Sequence, residues 1–541
     1  MSTAVSSPEG PAGAPPPEEL PRAYHFDLGQ VVRALGDVRT LVRFRVSGIA
    51  PASRRRLMVA AAGVGLLTLL IAFVPAQVPG AGAGASARAN DVLLLLPAAY
   101  LGVLLVALVT AAASGGGREL VPRDLAVAFP VSPTADHLGA LIMAPLNIAW
   151  ILQTWTVLGL TAYALGPGQG LLGNIGMVAA QLLVLTWVLT ATAIAQVLAW
   201  ALEWVRRGPT GVWILRGLML LSVAAGAALV ASGSVTDVLD RSPTVGVAVG
   251  VTQGADGAWL GWMVTFTRIL VLGAVATAFG AFVARLALRR APRDEAGLES
   301  RRFAPRPAPA SDVVALVRID RATVWRSVPL RRGLTVLAVL PGLVALAGGI
   351  GWDVLPILPG LVCAGGALLF GINTWCLDGR GALWRESLPV SPGLGFAVRS
   401  WVLFEVLVVA EVTTVAIAVW RAGTPTTAMV AAMLVLLVVL PMQVVAASMQ
   451  WSGRRPFAVD LRSARATPAP PALMVAYSAR LALATTLTGV LISTGAFLGA
   501  WSFPVVMGVP FALFAARRWV AARDAWLDRE ARVEVVRVVS G

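Results

Sequence analysis

The sequence predicts an all-α polytopic membrane protein of about 12 transmembrane helices, arranged as two parallel six-helix repeats that are each preceded by an interfacial amphipathic helix. Three observations lead to this fold class. Hydrophobic residues make up 57% of the chain and charged residues 13%, whereas about 25% of the residues of a soluble domain are charged. The apolar residues recur in stretches of about 20, the length that crosses the hydrocarbon of a bilayer. A charged, proline-rich motif between two such stretches occurs twice.

The first two segments of the chain are not predicted to cross a membrane. Residues 1–25 are rich in Pro, Ala and Glu and lack the apolar region of a signal peptide, so we expect a disordered cytoplasmic tail. In residues 26–47 apolar residues recur at helical spacing, with Arg33, Arg39 and Arg43 between them. This pattern predicts a helix that lies in the membrane surface, with a soluble amphipathic helix as the alternative.

The remaining chain divides into two halves, 26–288 and 312–520. Apolar stretches predict six spans in the first half, at 57–74, 92–113, 138–165, 175–201, 212–231 and 259–288. A cytoplasmic linker rich in Arg and Pro follows at 289–311, and residues 312–327 repeat the pattern of the opening amphipathic helix. The second half has stretches at 334–351, 354–376, 397–420, 427–449, 474–499 and 503–516. The last is short, and we expect its helix to continue through Arg517 and Arg518 towards a cytoplasmic tail at 521–541.

A second shared motif supports the duplication. Gln196 and Trp204 lie eight residues apart and precede Arg206-Arg207-Gly208-Pro209, while Gln443 and Trp451 lie eight apart and precede Arg454-Arg455-Pro456. Both motifs end the fourth predicted span of their half. Because each half has an even number of spans, six, both halves enter the membrane from the same side. The predicted repeats are therefore parallel and related by an axis along the membrane normal.

The basic residues indicate the orientation. All of them are Arg, and the net charge is +15. The arginines flank apolar stretches instead of covering a soluble face, so we interpret the charge through the positive-inside rule and not as a nucleic-acid surface. The distribution predicts that both termini are cytoplasmic, in a bacterial plasma membrane.

Several chemical activities have no support in the sequence. A phosphate-binding P-loop needs a Lys, and the chain has none. The two histidines, His25 and His137, are far apart in the sequence, which disfavours a His-based metal site or catalytic triad. Cys363 and Cys376 lack the spacing of disulfide or zinc ligands and are expected to be buried thiols. We therefore predict no enzymatic activity, no catalytic or metal-binding residue and no cofactor.

The doubled connector is the main candidate for function. The first copy contains Gly117-Arg118, Arg123-Asp124 and Pro130-Val131-Ser132-Pro133, and the second contains Gly379-Arg380, Arg385-Glu386 and Pro389-Val390-Ser391-Pro392. The prolines prevent one continuous helix, so each connector is expected to hold a short helix and a bend into the third span. A cytoplasmic protein could bind the charged tip by complementary charge; alternatively, the charges only hold the connector at the lipid headgroups. The candidate docking residues are Arg118, Arg123, Asp124, Asp136, Arg380, Arg385 and Glu386.

In this layout the chain resembles the permease subunits of ABC-type exporters, most closely the actinobacterial integral membrane proteins in which two six-span halves are fused. The likeness extends from about residue 26 to the end and depends on the arrangement of spans and the Pro-Val-Ser-Pro connectors. It implies a separate cytoplasmic ATPase dimer that docks on the connectors, around 118–136 and 380–391, and a permease that alternates between inward-facing and outward-facing states. The alternative is a membrane scaffold that recruits a cytoplasmic partner without moving a substrate. The apolar walls suit a hydrophobic or amphipathic substrate, and they suit lipid contact equally.

Charged residues at membrane depth are the remaining candidates, because ionisable groups within spans are usually functional. Arg268, Glu405 and Glu411 lie roughly 12–21 Å inside their spans at about 1.5 Å per residue, and Asn147 and Gln153 lie at nearby aligned positions of the first half. They predict either a substrate or proton path or a structural ion pair between Arg268 and one of the two glutamates.

Overall fold

The structure is a computed structural model that describes residues 28–47, 51–114, 131–146, 148–168, 170–290, 307, 309–367, 369, 373–379, 381–458, 471–497 and 499–540. Over these ranges the chain is helical and contains no β-strand. The sequence-based expectation of an all-α protein is therefore confirmed.

The first half contains ten α-helices in its described residues. They are α1 (Leu28–Ser47), α2 (Pro51–Phe73), α3 (Ala87–Ser114), α4 (Pro133–Met143), α5 (Ile148–Leu165), α6 (Gly170–Arg206), α7 (Gly211–Ala231), α8 (Val235–Asp240), α9 (Thr244–Ala255) and α10 (Trp259–Leu288). The predicted span 138–165 is divided between α4 and α5 by a 3₁₀ turn at Ala144–Leu146. Pro145 explains the break, because it has no N–H for the helical ladder.

The second half contains nine α-helices in its described residues. They are α11 (Asp312–Arg326), α12 (Val328–Ala347), α13 (Ile357–Gly366), α14 (Gly381–Glu386), α15 (Pro392–Ala418), α16 (Thr427–Arg454), α17 (Pro471–Phe497), α18 (Ser502–Leu527) and α19 (Arg529–Ser540). The helix of the last predicted span continues through Arg517 and Arg518, as expected. The predicted span 354–376 differs from the structure, because α13 ends at Gly366 and a 3₁₀ helix follows at Thr374–Leu377.

Seven helical segments of the described chain are long and apolar enough to cross a membrane. They are Ala87–Ala112, Gly173–Arg206, Trp259–Leu288, Leu330–Ala347, Pro392–Arg421, Thr427–Arg454 and Ser502–Leu527. Three shorter apolar helices lie at Ala61–Gln77, Trp213–Gly226 and Ile357–Gly366. These helices have the character of a polytopic membrane protein; the arrangement of 12 spans in two repeats stays a prediction.

One packing pair is shared by the two halves. The most extensive helix–helix contact joins α6 to α10 in the first half and α16 to α18 in the second. These helices contain the fourth and the last predicted span of each half. In the second half, Phe396, Leu403, Leu407, Leu436 and Leu440 are among the buried side chains of the core. The halves meet along α3 and α12.

Two elements were missed in the sequence. No element was predicted between the spans 212–231 and 259–288, but α9 forms there and packs against α3, α6 and α10. Its glycines allow this approach, since a Cβ on Gly250 would lie 2.5 Å from Cγ2 of Thr265. The expected C-terminal tail contains α19, whose Arg532, Val535 and Val536 are buried on one face.

Candidate functional site

The Ser-Pro step of the doubled connector motif begins a helix in both halves. Ser132 Oγ accepts a hydrogen bond from the backbone N–H of Ala135 at 3.1 Å, at the start of α4. Ser391 Oγ accepts one from the N–H of Leu394 at 3.3 Å, at the start of α15. Each Pro occupies the first helical turn, where its missing N–H costs no helical hydrogen bond. The repeated sequence therefore gives a repeated helix start.

The second connector is held by a cluster of four ionised side chains, Asp320, Asp378, Arg385 and Arg399. Arg399 Nη2 lies 2.7 Å from both carboxylate oxygens of Asp378 and 3.0 Å from Oδ1 of Asp320. Arg385 donates to both oxygens of Asp320, through Nη2 at 3.1 Å and through Nη1. It also lies 3.5 Å from Asp378 Oδ1. The cluster joins α11, the connector with α14, and the second turn of α15.

The cluster is closed and electrically neutral. The side chains of Asp320 and Arg399 are each 1% exposed, and two carboxylates balance two guanidinium groups. Arg399 also donates to the carbonyl of Thr374 at 2.9 Å, and its guanidinium lies 5.7 Å from the ring of Trp375. Buried ion pairs hold only where the charges are matched and hydrogen-bonded, and loss of one member leaves an unpaired buried charge. These contacts therefore fix the connector to its neighbouring helices.

The C-terminal helix α19 covers the same connector. Arg532 Nε lies 2.7 Å from Glu386 Oε1, and Arg532 Nη1 donates to the carbonyl of Trp526 at 3.2 Å. The Trp526 ring stacks on Trp375 at 3.7 Å between centroids. Val535 and its apolar neighbours on α19 line a cleft with the connector. The segment expected to be a free tail is a structural part of the site.

The outward side of α14 is apolar. The Leu383 side chain is 60% exposed and that of Trp384 is 58% exposed. The Arg385 side chain is 12% exposed and that of Glu386 is 37% exposed, and each is paired within the chain. The countercharges of these two residues come from Asp320 of α11 and Arg532 of α19, and a docking role for Arg385 and Glu386 stays a prediction. Docking at the connector stays a prediction, and its available contacts are Leu383 and Trp384.

Most of the remaining predicted docking residues are outside the described part of the chain. Arg118, Arg123, Asp124 and Arg380 lie outside the described residues. Asp136 lies in the first turn of α4, where a negative charge is favourable at a helix N-terminus.

The predicted Arg268–Glu pair does not form. Glu405 is bound by Arg321 of α11, with Nη2 to Oε1 at 2.6 Å and Nε to Oε2 at 2.9 Å. Glu411 is fully buried and accepts a hydrogen bond from the thiol of Cys363 at 2.7 Å. Arg268 is exposed on α10. The prediction is wrong because the two glutamates face α11 and α13, within their own half.

The other intramembrane candidates do not join these groups. Gln153 is partly buried on α5, and Asn147 lies outside the described residues. Both cysteines are buried free thiols, as expected. Burial raises the pKa of Cys376, in the 3₁₀ helix outside the candidate spans, to about 12, so its thiol is protonated at neutral pH.

The charged site residues that sequence reasoning missed are Asp320, Asp378, Arg399 and Arg532. Arg399 had a usable signal, because it lies at the start of the apolar stretch 397–420 and an Arg there needs a countercharge, which Asp378 before the stretch can supply. Arg532 had none, since its partner is 146 residues away. No protein-family model, curated protein or solved structure matches this chain.

Proposed function

We propose that the chain is the membrane-spanning permease subunit of an ATP-driven, ABC-type exporter, coupled to a separate cytoplasmic ATPase dimer through its two connectors. In this proposal 12 spans form two parallel repeats in a bacterial plasma membrane, with both termini in the cytoplasm. The repeated helix starts at Ser132 and Ser391 support the duplication, as do the matching contacts of α6 with α10 and of α16 with α18.

The observation that carries the proposal is the construction of α14. A six-residue helix presents Leu383 and Trp384 outward and is joined on its inward side to α11, α15 and α19. A partner that moved α14 would therefore move α15 with it, because Arg385 and Arg399 share Asp320 as a common partner. Contacts of this kind transmit a displacement better than a flexible loop, since Asp320 accepts hydrogen bonds from Arg385 and lies 3.0 Å from Arg399, which in turn donates to Asp378.

The test uses the double variant Leu383→Ser/Trp384→Ser, expressed with the ATPase of an adjacent reading frame. We expect at least a tenfold loss of co-purified ATPase, because exposed aromatic side chains that enter a partner's pocket commonly contribute 2 kcal/mol or more, a factor of about 30. Trp420→Ser is the matched control. Trp420 is 85% exposed at the opposite end of α15 and should leave ATPase binding unchanged.

Transport is measured in the same membranes as ATP-dependent accumulation of a hydrophobic fluorescent compound in inverted vesicles. Parallel loss of binding and accumulation in the double variant would support the permease. Unchanged ATPase binding would refute docking at α14. ATPase binding without ATP-dependent accumulation for any compound tried would favour the scaffold, the alternative function.

A further inference from the structure

Three arginines converge at the connector end of α16, α17 and α18. Arg454 is the last residue of α16, and Arg480 and Arg518 each lie about 14 Å from the connector ends of α17 and α18, at about 1.5 Å per residue. The three helices pack against one another. Arg518 is hydrogen-bonded to Gln450, one turn before Arg454 on α16, and Tyr477, one turn before Arg480 on α17, is hydrogen-bonded to Ser448 of the same part of α16.

None of these arginines has an acidic partner among the described residues. Arg518 is half-buried, and its Nε donates to the neutral amide oxygen of Gln450 at 2.5 Å. Arg454 and Arg480 are exposed and form no ion pair in the described chain. Like charges held together near apolar surface repel one another unless an anion lies between them. Within the described part of the chain, this group of arginines therefore has no negative charge beside it.

The corresponding place in the first half contains its own acid. Glu203 directly precedes Trp204, and Gln450 directly precedes Trp451 in the second copy of the motif. Glu203 pairs with Arg206 and lies 2.7 Å from Nε of Arg207. The second copy thus has an amide where the first has the carboxylate that neutralises the arginines.

Two buried aromatic side chains of the core lie beside these arginines. The Trp451 ring lies 5.5 Å from that of Tyr477, whose hydroxyl lies 2.7 Å from Ser448 Oγ. The Arg455 guanidinium lies over the Trp451 ring, 4.9 Å from its centroid. Aromatic side chains and arginines at the ends of apolar helices are typical of the headgroup level of a bilayer.

We propose that Arg454, Arg480 and Arg518, with Gln450, form a phosphate-binding site that takes the headgroup of an anionic phospholipid. The phosphate supplies the charge that Glu203 supplies in the first half, and its acyl chains lie along the apolar surface beside α17. Guanidinium groups bind phosphate oxygens with charge-assisted hydrogen bonds. The site does not depend on the proposed transport function.

The test uses the full chain purified in dodecylmaltoside and native mass spectrometry with added phosphatidylglycerol or phosphatidylcholine. We expect the wild type to retain phosphatidylglycerol in preference to phosphatidylcholine. Gln450→Glu supplies the missing carboxylate and should lower bound phosphatidylglycerol about tenfold or more, as should Arg480→Gln. Arg421→Gln, an exposed arginine at the opposite end of α15, should change nothing.

Thermal unfolding separates loss of the site from loss of the fold. Gln450→Glu should unfold at the wild-type temperature or above it, because Arg518 gains a partner. Equal phosphatidylglycerol binding in the wild type, Gln450→Glu and Arg480→Gln, or no preference over phosphatidylcholine, would overturn the lipid site. Arg480-dependent stabilisation by inorganic phosphate, without any phosphatidylglycerol preference, would support the phosphate chemistry and overturn the lipid as its source.

Discussion

Replacing Arg399 by Gln tests whether the ion-pair cluster holds the second connector. The substitution leaves Asp320 and Asp378, which are nearly buried, with Arg385 as the remaining guanidinium. Removal of one member of a buried ion pair costs about 3–5 kcal/mol, because the remaining charge is left without a partner. For a unit of the size of one half, this corresponds to an unfolding temperature lower by on the order of 10 °C.

The assay is thermal unfolding of the full chain in detergent, followed with a thiol-reactive dye. The buried free thiols of Cys363 and Cys376 report unfolding without an added label. Arg268→Gln is the control, since Arg268 is exposed and outside the cluster, and it should unfold at the wild-type temperature.

Charge balance distinguishes an electrostatic role for Arg399 from a packing role. Arg399→Gln leaves two acids and one base, whereas the double variant Arg399→Gln/Asp378→Asn leaves one of each. We therefore expect the double variant to be more stable than Arg399→Gln alone, by about 0.5–3 kcal/mol of coupling. A double variant that is equally or less stable would refute the electrostatic explanation and leave side-chain volume as the cause.

Two further predictions concern the elements that the sequence did not reveal. Gly250→Ala should destabilise the protein by about 1–3 kcal/mol, since the added Cβ would meet Thr265. Gly246→Ala is the control on the same helix; its Cβ has open space, so this variant should be neutral or slightly stabilising. Thermal unfolding of both variants tests this, and equal unfolding temperatures would contradict the close packing of α9. Trp526→Ala should lower the free energy of unfolding by about 3–5 kcal/mol, because the stacking against Trp375 is lost. It should also expose a new protease site between α18 and α19. Unchanged proteolysis would show that the position of α19 does not depend on this stack.

The elements that could be predicted from the sequence depend on local patterns. Apolar stretches of about 20 residues give α3, α10, α15 and α16 nearly at their observed bounds, because length and composition decide whether a helix suits a bilayer. The N-caps at Ser132 and Ser391 are equally local, since each contact spans three residues. Patterns within one or two helical turns are visible in a single sequence.

The elements that could not be predicted depend on distant contacts. The charges of Arg385 and Glu386 look available in the sequence, but their partners Asp320 and Arg532 are 65 and 146 residues away. The Arg268–Glu pair was predicted from the depth of the residues in their spans. Depth does not determine which neighbouring helix a side chain faces, so the prediction failed. Burial and pairing of charges are tertiary properties, and a single sequence gives no register between distant helices.

The distribution of acids links the connector to the lipid site. In the described part of the second half, Asp320, Asp378, Glu386 and Glu405 all pair with arginines of the connector region. Those pairs neutralise the inward side of α14, so a partner protein would meet the apolar Leu383 and Trp384. The arginines of α16, α17 and α18 pair with none of these acids, and in our proposal a lipid phosphate supplies their countercharge. The apolar surface for a partner protein is therefore separate from the charged surface for a phosphate. A substitution at Trp384 should weaken binding of the protein alone, and a substitution at Gln450 should weaken binding of the phosphate alone.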